Sequence, residues 1–302
     1  LKRFGWLLLV AALAGSAEAR NVQYISFASV DRDASGAPVM LRGVLLLPPT
    51  PPPPGGYPAI VALHGCGGMY SARGERKQEL AERMALRADL FLAEGYAVLF
   101  PDSFSARGRR EVCTIKTGER TINAPRRKLD ALGALAYLAT RREIARGRVA
   151  LVGWSHGGST VLQTINVRDP DVAAFIGRPE SPPFYRAAVA FYPGCRVPLQ
   201  AGDRWRPGPP TRVHIGEIDD WTPAEPCVEL GAVEAAREDD FKVYTYADSY
   251  HAFDSPTGKV ILRTDVPNGV HPGEGVHVGP NPEARKLANA RVHVFLDQHL
   301  RP

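Results

Sequence analysis

Arg148-Val149-Ala150-Leu151-Val152-Gly153-Trp154-Ser155-His156-Gly157-Gly158 is the stretch that decides how this chain folds. The apolar, β-branched run 148–153 reads as a buried strand. The run 158–165 reads as the first turns of a helix. Between them, Gly-x-Ser-x-Gly sets a serine on a tight strand-to-helix turn. Small residues two before and two after it let the backbone make that strained bend, which pushes the hydroxyl out above the sheet. The bare pattern is common by chance. The strand before it and the helix after it make it informative, and Ser155 is the candidate nucleophile.

Strand-like runs lie on both sides of that turn. Val22–Phe27 and Met40–Leu47 flank a turn at residues 33–36 and suggest an N-terminal hairpin. Ala59–Leu63 and Tyr96–Phe100 follow, with helical spacing over residues 75–94 between them and a second helix over 127–139. After the serine come Ala187–Tyr192, Thr211–Ile215 and Phe241–Tyr246, with a helix over 229–237 and a closing helix over 283–300. Strands alternating with helices predict an α/β fold with a mostly parallel central sheet and helices on both faces. Residues 254–282 are polar, rich in Gly and Pro, and without periodicity, which reads as a surface loop near the site. At 302 residues the chain can bury one large core.

The first nineteen residues stand apart. Lys2 and Arg3 precede an apolar run from Phe4 to Ala14, too short to span a bilayer comfortably, and Ala17-Glu18-Ala19 resembles a cleavage site. The expectation is a secretory signal over 1–19 and a single domain over 20–302, secreted or periplasmic; an uncleaved anchor is the alternative. In an oxidising compartment four cysteines suggest disulfides. All four follow strand ends, and neighbouring loops favour Cys66–Cys113 and Cys195–Cys227. No Cys-x-x-Cys or His-Glu-x-x-His spacing suggests a metal, and no cofactor is implied. The net charge of +5 is spread out, without a zinc-finger or RNA-binding motif, which argues against a nucleic-acid partner.

Ligands of such a sheet bind beyond the carboxyl ends of its strands. Ser155 follows one strand; Glu217, Asp219 and Asp220 follow another; His251 follows the last. That order, Ser then acid then His, belongs to α/β-hydrolases. A serine hydroxyl needs a base to take its proton, and an imidazole titrates near neutrality. The acid holds the imidazole's tautomer and stabilises its cation. His251 is the expected base, with His271 and His277 as rivals. Two backbone donors are needed for an oxyanion: the N–H of His156, and one from the loop after Leu63, either Cys66 or Gly65 or Gly67. Cys66 as the nucleophile is the rival to Ser155, but it lacks a strand-to-helix elbow. Trp154 and Trp221, beside the nucleophile and in the acid loop, are expected to touch substrate.

Taken together, His64-Gly-Cys-Gly-Gly68, Pro101-Asp102, Gly153-Trp-Ser-His-Gly-Gly158, Phe191-Tyr-Pro-Gly194, Asp219-Asp-Trp-Thr-Pro223 and His251-Ala-Phe253 resemble the dienelactone hydrolase family of the α/β-hydrolase superfamily. The resemblance implies an α/β-hydrolase fold and hydrolysis of a carboxylic ester or lactone through an acyl-enzyme. The spacing of Gly216, Asp219 and Pro223 resembles the superfamily's acid loops, which implies Asp219 as the acid and leaves Asp220 as the alternative. The founding members use a cysteine where this chain has Ser155, and bind a substrate carboxylate with two arginines. Arg107 resembles the first; the second position falls at Asp254-Ser-Pro-Thr257. The expected substrate is therefore a small or polymeric ester other than a dienelactone. A peptidase of the prolyl-oligopeptidase type and a non-catalytic binding protein on the same scaffold are the alternatives, and the oligomeric state stays open.

Overall fold

The computed structural model describes residues 21–71 and 79–301. Ten strands are present: β1 (Asn21–Arg32), β2 (Pro38–Leu47), β3 (Tyr57–Leu63), β4 (Ala97–Asp102), β5 (Ile144–Trp154), β6 (Ala187–Phe191), β7 (Thr211–Gly216), β8 (Phe241–Tyr246), β9 (Ile261–Arg263) and β10 (Val276–Val278). Among the described residues seven α-helices accompany them: α1 (Glu82–Ala93), α2 (Ala124–Leu138), α3 (His156–Thr164), α4 (Pro170–Ile176), α5 (Arg196–Ala201), α6 (Glu225–Ala236) and α7 (Pro282–Leu300). The signal expected over 1–19 lies outside the described residues, as does the start of the helix expected over 75–94.

The first eight strands form one sheet in the order β1-β2-β4-β3-β5-β6-β7-β8. β2 pairs antiparallel with both of its neighbours and all other pairs are parallel, so β2 alone runs against the rest. β6 and residues 149–154 of β5 are continuous buried runs because helices cover both of their faces. Edge strand β1 instead alternates between exposed and covered residues.

Successive strand residues point to opposite faces, and the end of β5 shows both. Gly153 lies against Val161 of α3. Trp154 shares a pocket with Phe91 of α1 and Val292 of α7. α2 packs on α3.

The chain order reverses between β3 and β5, which are neighbours in the sheet although β4 follows β3 in sequence. Such a switch opens a crevice at the carboxyl ends of the strands. The register Leu63↔Gly153 sets the loop after β3 beside the turn after β5. Residues 254–282 depart from the expected bare loop. Within them β9 and β10 pair as a short antiparallel hairpin, and Val266 and Val276 are buried with Cys66, Phe104, Val112 and Cys113 in a second apolar cluster. The missed helices α4 and α5 are too short to display a period.

Candidate active site

Ser155 has φ 56° and ψ −119°, a conformation that costs a non-glycine residue energy and persists only where surroundings enforce it. The enforcement is backbone contact. A Cβ at Gly157 would lie 2.1 Å from Leu63 O, and one at Gly153 would lie 2.4 Å from Gly157 O. Both positions therefore need glycine. Ser155 N–H donates to Phe191 O at 2.9 Å, which ties the turn to the end of β6.

His251 Nε2 lies 2.8 Å from Ser155 Oγ, and its Nδ1 lies 2.8 Å from Asp219 Oδ2. A carboxylate only accepts, so the histidine proton sits on Nδ1 and Nε2 is left to accept from the serine hydroxyl. Asp219 is buried. Its Oδ1 accepts from the N–H groups of Trp221 and Thr222 at 2.9 and 2.8 Å, and the Thr222 hydroxyl lies 3.1 Å from Oδ2. The imidazole sits between Tyr192 and Trp221, with ring centroids at 4.5 and 4.8 Å. These two rings hold its plane while its edge reaches the serine.

The other acids of that loop are engaged elsewhere. Asp220 accepts from His277 N–H at 2.8 Å and from its Nδ1 at 2.7 Å, which pins β10 to the loop. Glu217 is exposed and accepts from Thr245. His271 is exposed. Neither rival histidine is hydrogen-bonded to Ser155.

After β3, His64 Nδ1 lies 2.8 Å from Gly65 O, and Gly68 N–H donates to the same oxygen at 3.2 Å. In a trans peptide the C=O and N–H point oppositely, so the Cys66 N–H is turned away from these partners. The N–H of His156 belongs to the first turn of α3, where helix donors have no intrahelical acceptor. Burial, then the nearby Arg127 charge, holds both His64 and His156 well below the ordinary imidazole range.

Both expected disulfides are present, Cys66–Cys113 and Cys195–Cys227, each with Cα atoms 4.9 Å apart. The first ties the loop after β3 to the segment following β4, and with its sulfur bonded Cys66 is no nucleophile. Trp221 lies against the His251 ring. Two expected substrate contacts need correction. Arg107 is bound by Asp130 at 2.8 and 2.9 Å and by Asp31 at 2.7 Å, so its guanidinium braces β1 against α2. Trp154 is buried on Phe191, and its Nε1 donates to Asp254 at 2.9 Å.

Asp254 itself went unrecognised in the sequence as a structural residue. Arg87 donates to both of its oxygens, at 2.6 and 2.9 Å, and Tyr192 Oη donates to it at 2.7 Å. Three residues past His251, this buried network anchors the histidine loop to α1. Arg127 was missed too, although it carried a signal: a charge on the apolar stripe of α2, in line with Ala131 and Leu135. Among the described residues no group of three or more His, Cys, Asp or Glu side chains could hold a metal ion. Nor is any helix among them long and apolar enough to cross a membrane.

A family model described as the dienelactone hydrolase family matches residues 41–300. Among solved structures, the dienelactone hydrolase-like promiscuous phosphotriesterase P91 from metagenomic libraries is 17% identical. The match covers 93% of this chain and 99% of that one, with a TM-score of 0.60. Thermogutta terrifontis esterase 2, phosphorylated by paraoxon, is 15% identical over 93% of this chain and 96% of its own, also with a TM-score of 0.60. Porphyromonas gingivalis dipeptidyl peptidase 4 is 14% identical over 92% of this chain but only 35% of its own, with a TM-score of 0.56. At such identities the likeness speaks for the fold alone. No curated protein sequence matches this chain significantly.

Proposed function

We propose that this chain, which belongs to the dienelactone hydrolase family, is a serine hydrolase that cleaves carboxylic esters or lactones through an acyl-enzyme. The observation that carries the reading is the hydrogen-bonded series Ser155–His251–Asp219, with 2.8 Å at each link, set on the strained turn after β5. Ser155 Oγ attacks the ester carbonyl carbon while His251 Nε2 takes its proton. Asp219 stays ionised and stabilises the imidazolium. The carbonyl oxygen gains charge and accepts from the Cys66 and His156 N–H groups. Collapse of that tetrahedral species expels the alcohol, which leaves with the proton held by His251. Water, deprotonated by the same imidazole, then releases the acid and restores Ser155.

The domain reading is a signal over 1–19 followed by a single hydrolase domain, exported from the cytoplasm; the two disulfides support export. The displacement of Arg107 into an internal ion pair supports a substrate without the family's founding carboxylate clamp.

The test is labelling by a fluorophosphonate probe alongside hydrolysis of a p-nitrophenyl short-chain ester. Wild-type protein should label and turn over, and the matching peptide amide should be hydrolysed far more slowly. Ser155→Ala should lose both labelling and turnover while keeping its thermal midpoint. Retained turnover in Ser155→Ala would overturn the reading, and faster amide than ester cleavage would favour a peptidase. Exported protein should begin at Arg20 by intact mass.

A further inference from the structure

Arg127 is fully buried on α2, yet among the described residues no carboxylate forms an ion pair with it. Asp130, one turn away, is taken by Arg107 and Ser29. A buried cation without an ion-pair partner is costly, and an apolar side chain would fill the same space without that cost. What the guanidinium does touch is specific. Nη2 donates to the carbonyl oxygen of His64 at 2.8 Å, and Nη1 donates to His156 Nδ1 at 2.6 Å. Its plane lies over Phe104, 5.1 Å from the ring centroid, and the edge of His64 meets the same ring at 4.6 Å. Among the described residues its Nε has no hydrogen-bond partner.

The two acceptors belong to the two segments that carry the proposed oxyanion donors. His64 precedes the Gly65-Cys66 peptide, and His156 supplies the other N–H itself. One rigid planar fork thus bridges the end of β3 and the start of α3. Rigidity matters because a donor placed in advance stabilises developing charge without reorganising during the reaction. The bond to His156 also sets a tautomer: with Nδ1 accepting, that ring carries its proton on Nε2. Burial brings Arg127 down to about 9, so it remains a cation at neutral pH.

We propose that Arg127 is a positioning residue that fixes the spacing of the two oxyanion donors through His64 O and His156 Nδ1. The inference rests on the serine-hydrolase reading of the site. Arg127→Met, which preserves length without donors, and Arg127→Lys, which keeps the charge and at least one donor, separate positioning from packing. His156→Phe is the third variant; it cuts one of the two bonds and leaves Arg127 in place.

With a p-nitrophenyl ester, Arg127→Met should lower kcat by about 10²-fold while KM stays within about threefold, because the donors act on the transition state. Arg127→Lys should recover at least about tenfold of that loss, and His156→Phe should lose kcat with the same pattern. Affinity for a boronic acid, which forms a tetrahedral adduct on serine, should fall in step with kcat/KM across the series. Variants within threefold of wild-type kcat would overturn the assignment. So would losses that follow the thermal midpoint and that Arg127→Lys does not relieve. If Arg127→Met does not fold, the other two variants decide by the same criteria. Wild-type protein that neither labels nor turns over the ester overturns the underlying hydrolase reading instead.

Discussion

Asp219 and Asp220 are neighbours of the same type in one loop, and their side chains do unrelated things. Asp219 Oδ2 meets His251 at 2.8 Å, while Asp220 holds His277 and the hairpin strand β10. The difference predicts two distinct phenotypes. Asp219→Asn should lower kcat by about 10³–10⁴-fold, since an amide in that place favours the wrong imidazole tautomer. Asp220→Asn should keep kcat within about tenfold and lower the thermal midpoint by loosening the hairpin. Steady-state kinetics with parallel thermal melts reads both, and equal losses of kcat would contradict the assignment. At this scale the serine was legible because an unusual φ/ψ leaves a mark in composition: glycines where a Cβ would strike backbone. The choice between two aspartates leaves no such mark, since both belong to a loop that any acid would suit. Only the family-like spacing of Gly216, Asp219 and Pro223 pointed to the one that is hydrogen-bonded to His251.

The elements that carry the site are held by long-range ties. Cys66–Cys113 joins the loop after β3 to the segment beyond β4, and Cys195–Cys227 joins the end of β6 to α6. Sequence separations of 47 and 32 imply about 4 kcal/mol of stabilisation from each, as restraints on the unfolded chain. The two should differ in function. Replacing Cys66 and Cys113 together by Ser should lower kcat at least about tenfold more than replacing Cys195 and Cys227, because Cys66 contributes a proposed oxyanion donor. Each pair should lower the thermal midpoint by a similar amount, on the order of 10 °C. Equal kcat effects from the two pairs would sink the distinction. The main strands and long helices were readable from periodicity, since each needs only its own apolar pattern. The hairpin β9–β10 was not: three-residue strands show no period, and Val266 and Val276 are buried only because Phe104, Val112 and the disulfide meet them there.

Across the whole molecule, burial sets a pH response. His64, His156 and His214 are enclosed as neutral rings. Burial, with Arg127 nearby, holds the first two well below their ordinary value, and burial brings His214 down to about 3. In the unfolded chain each titrates near 6.5. Below that pH the unfolded state takes up protons that the folded state refuses, so stability falls as pH falls. Each histidine adds a slope of up to about 1.4 kcal/mol per pH unit. The urea midpoint should therefore drop clearly between pH 7 and pH 5, where most carboxylates are still ionised. An unchanged midpoint would contradict the buried neutral assignments.

By itself the sequence determined the succession of the main strands and long helices, the strained serine turn, and the order of serine, acid and histidine. All of these follow from local rules: side-chain period, the room a backbone needs to bend, and position after a strand. The tertiary structure alone decided that Arg107 and Trp154 serve internal networks, that Asp254 anchors the histidine loop, and that Arg127 bridges His64 and His156. Those roles depend on which distant groups come within about 3 Å, and the same arginine pairs with a carboxylate or a carbonyl according to what the packed helices bring to it.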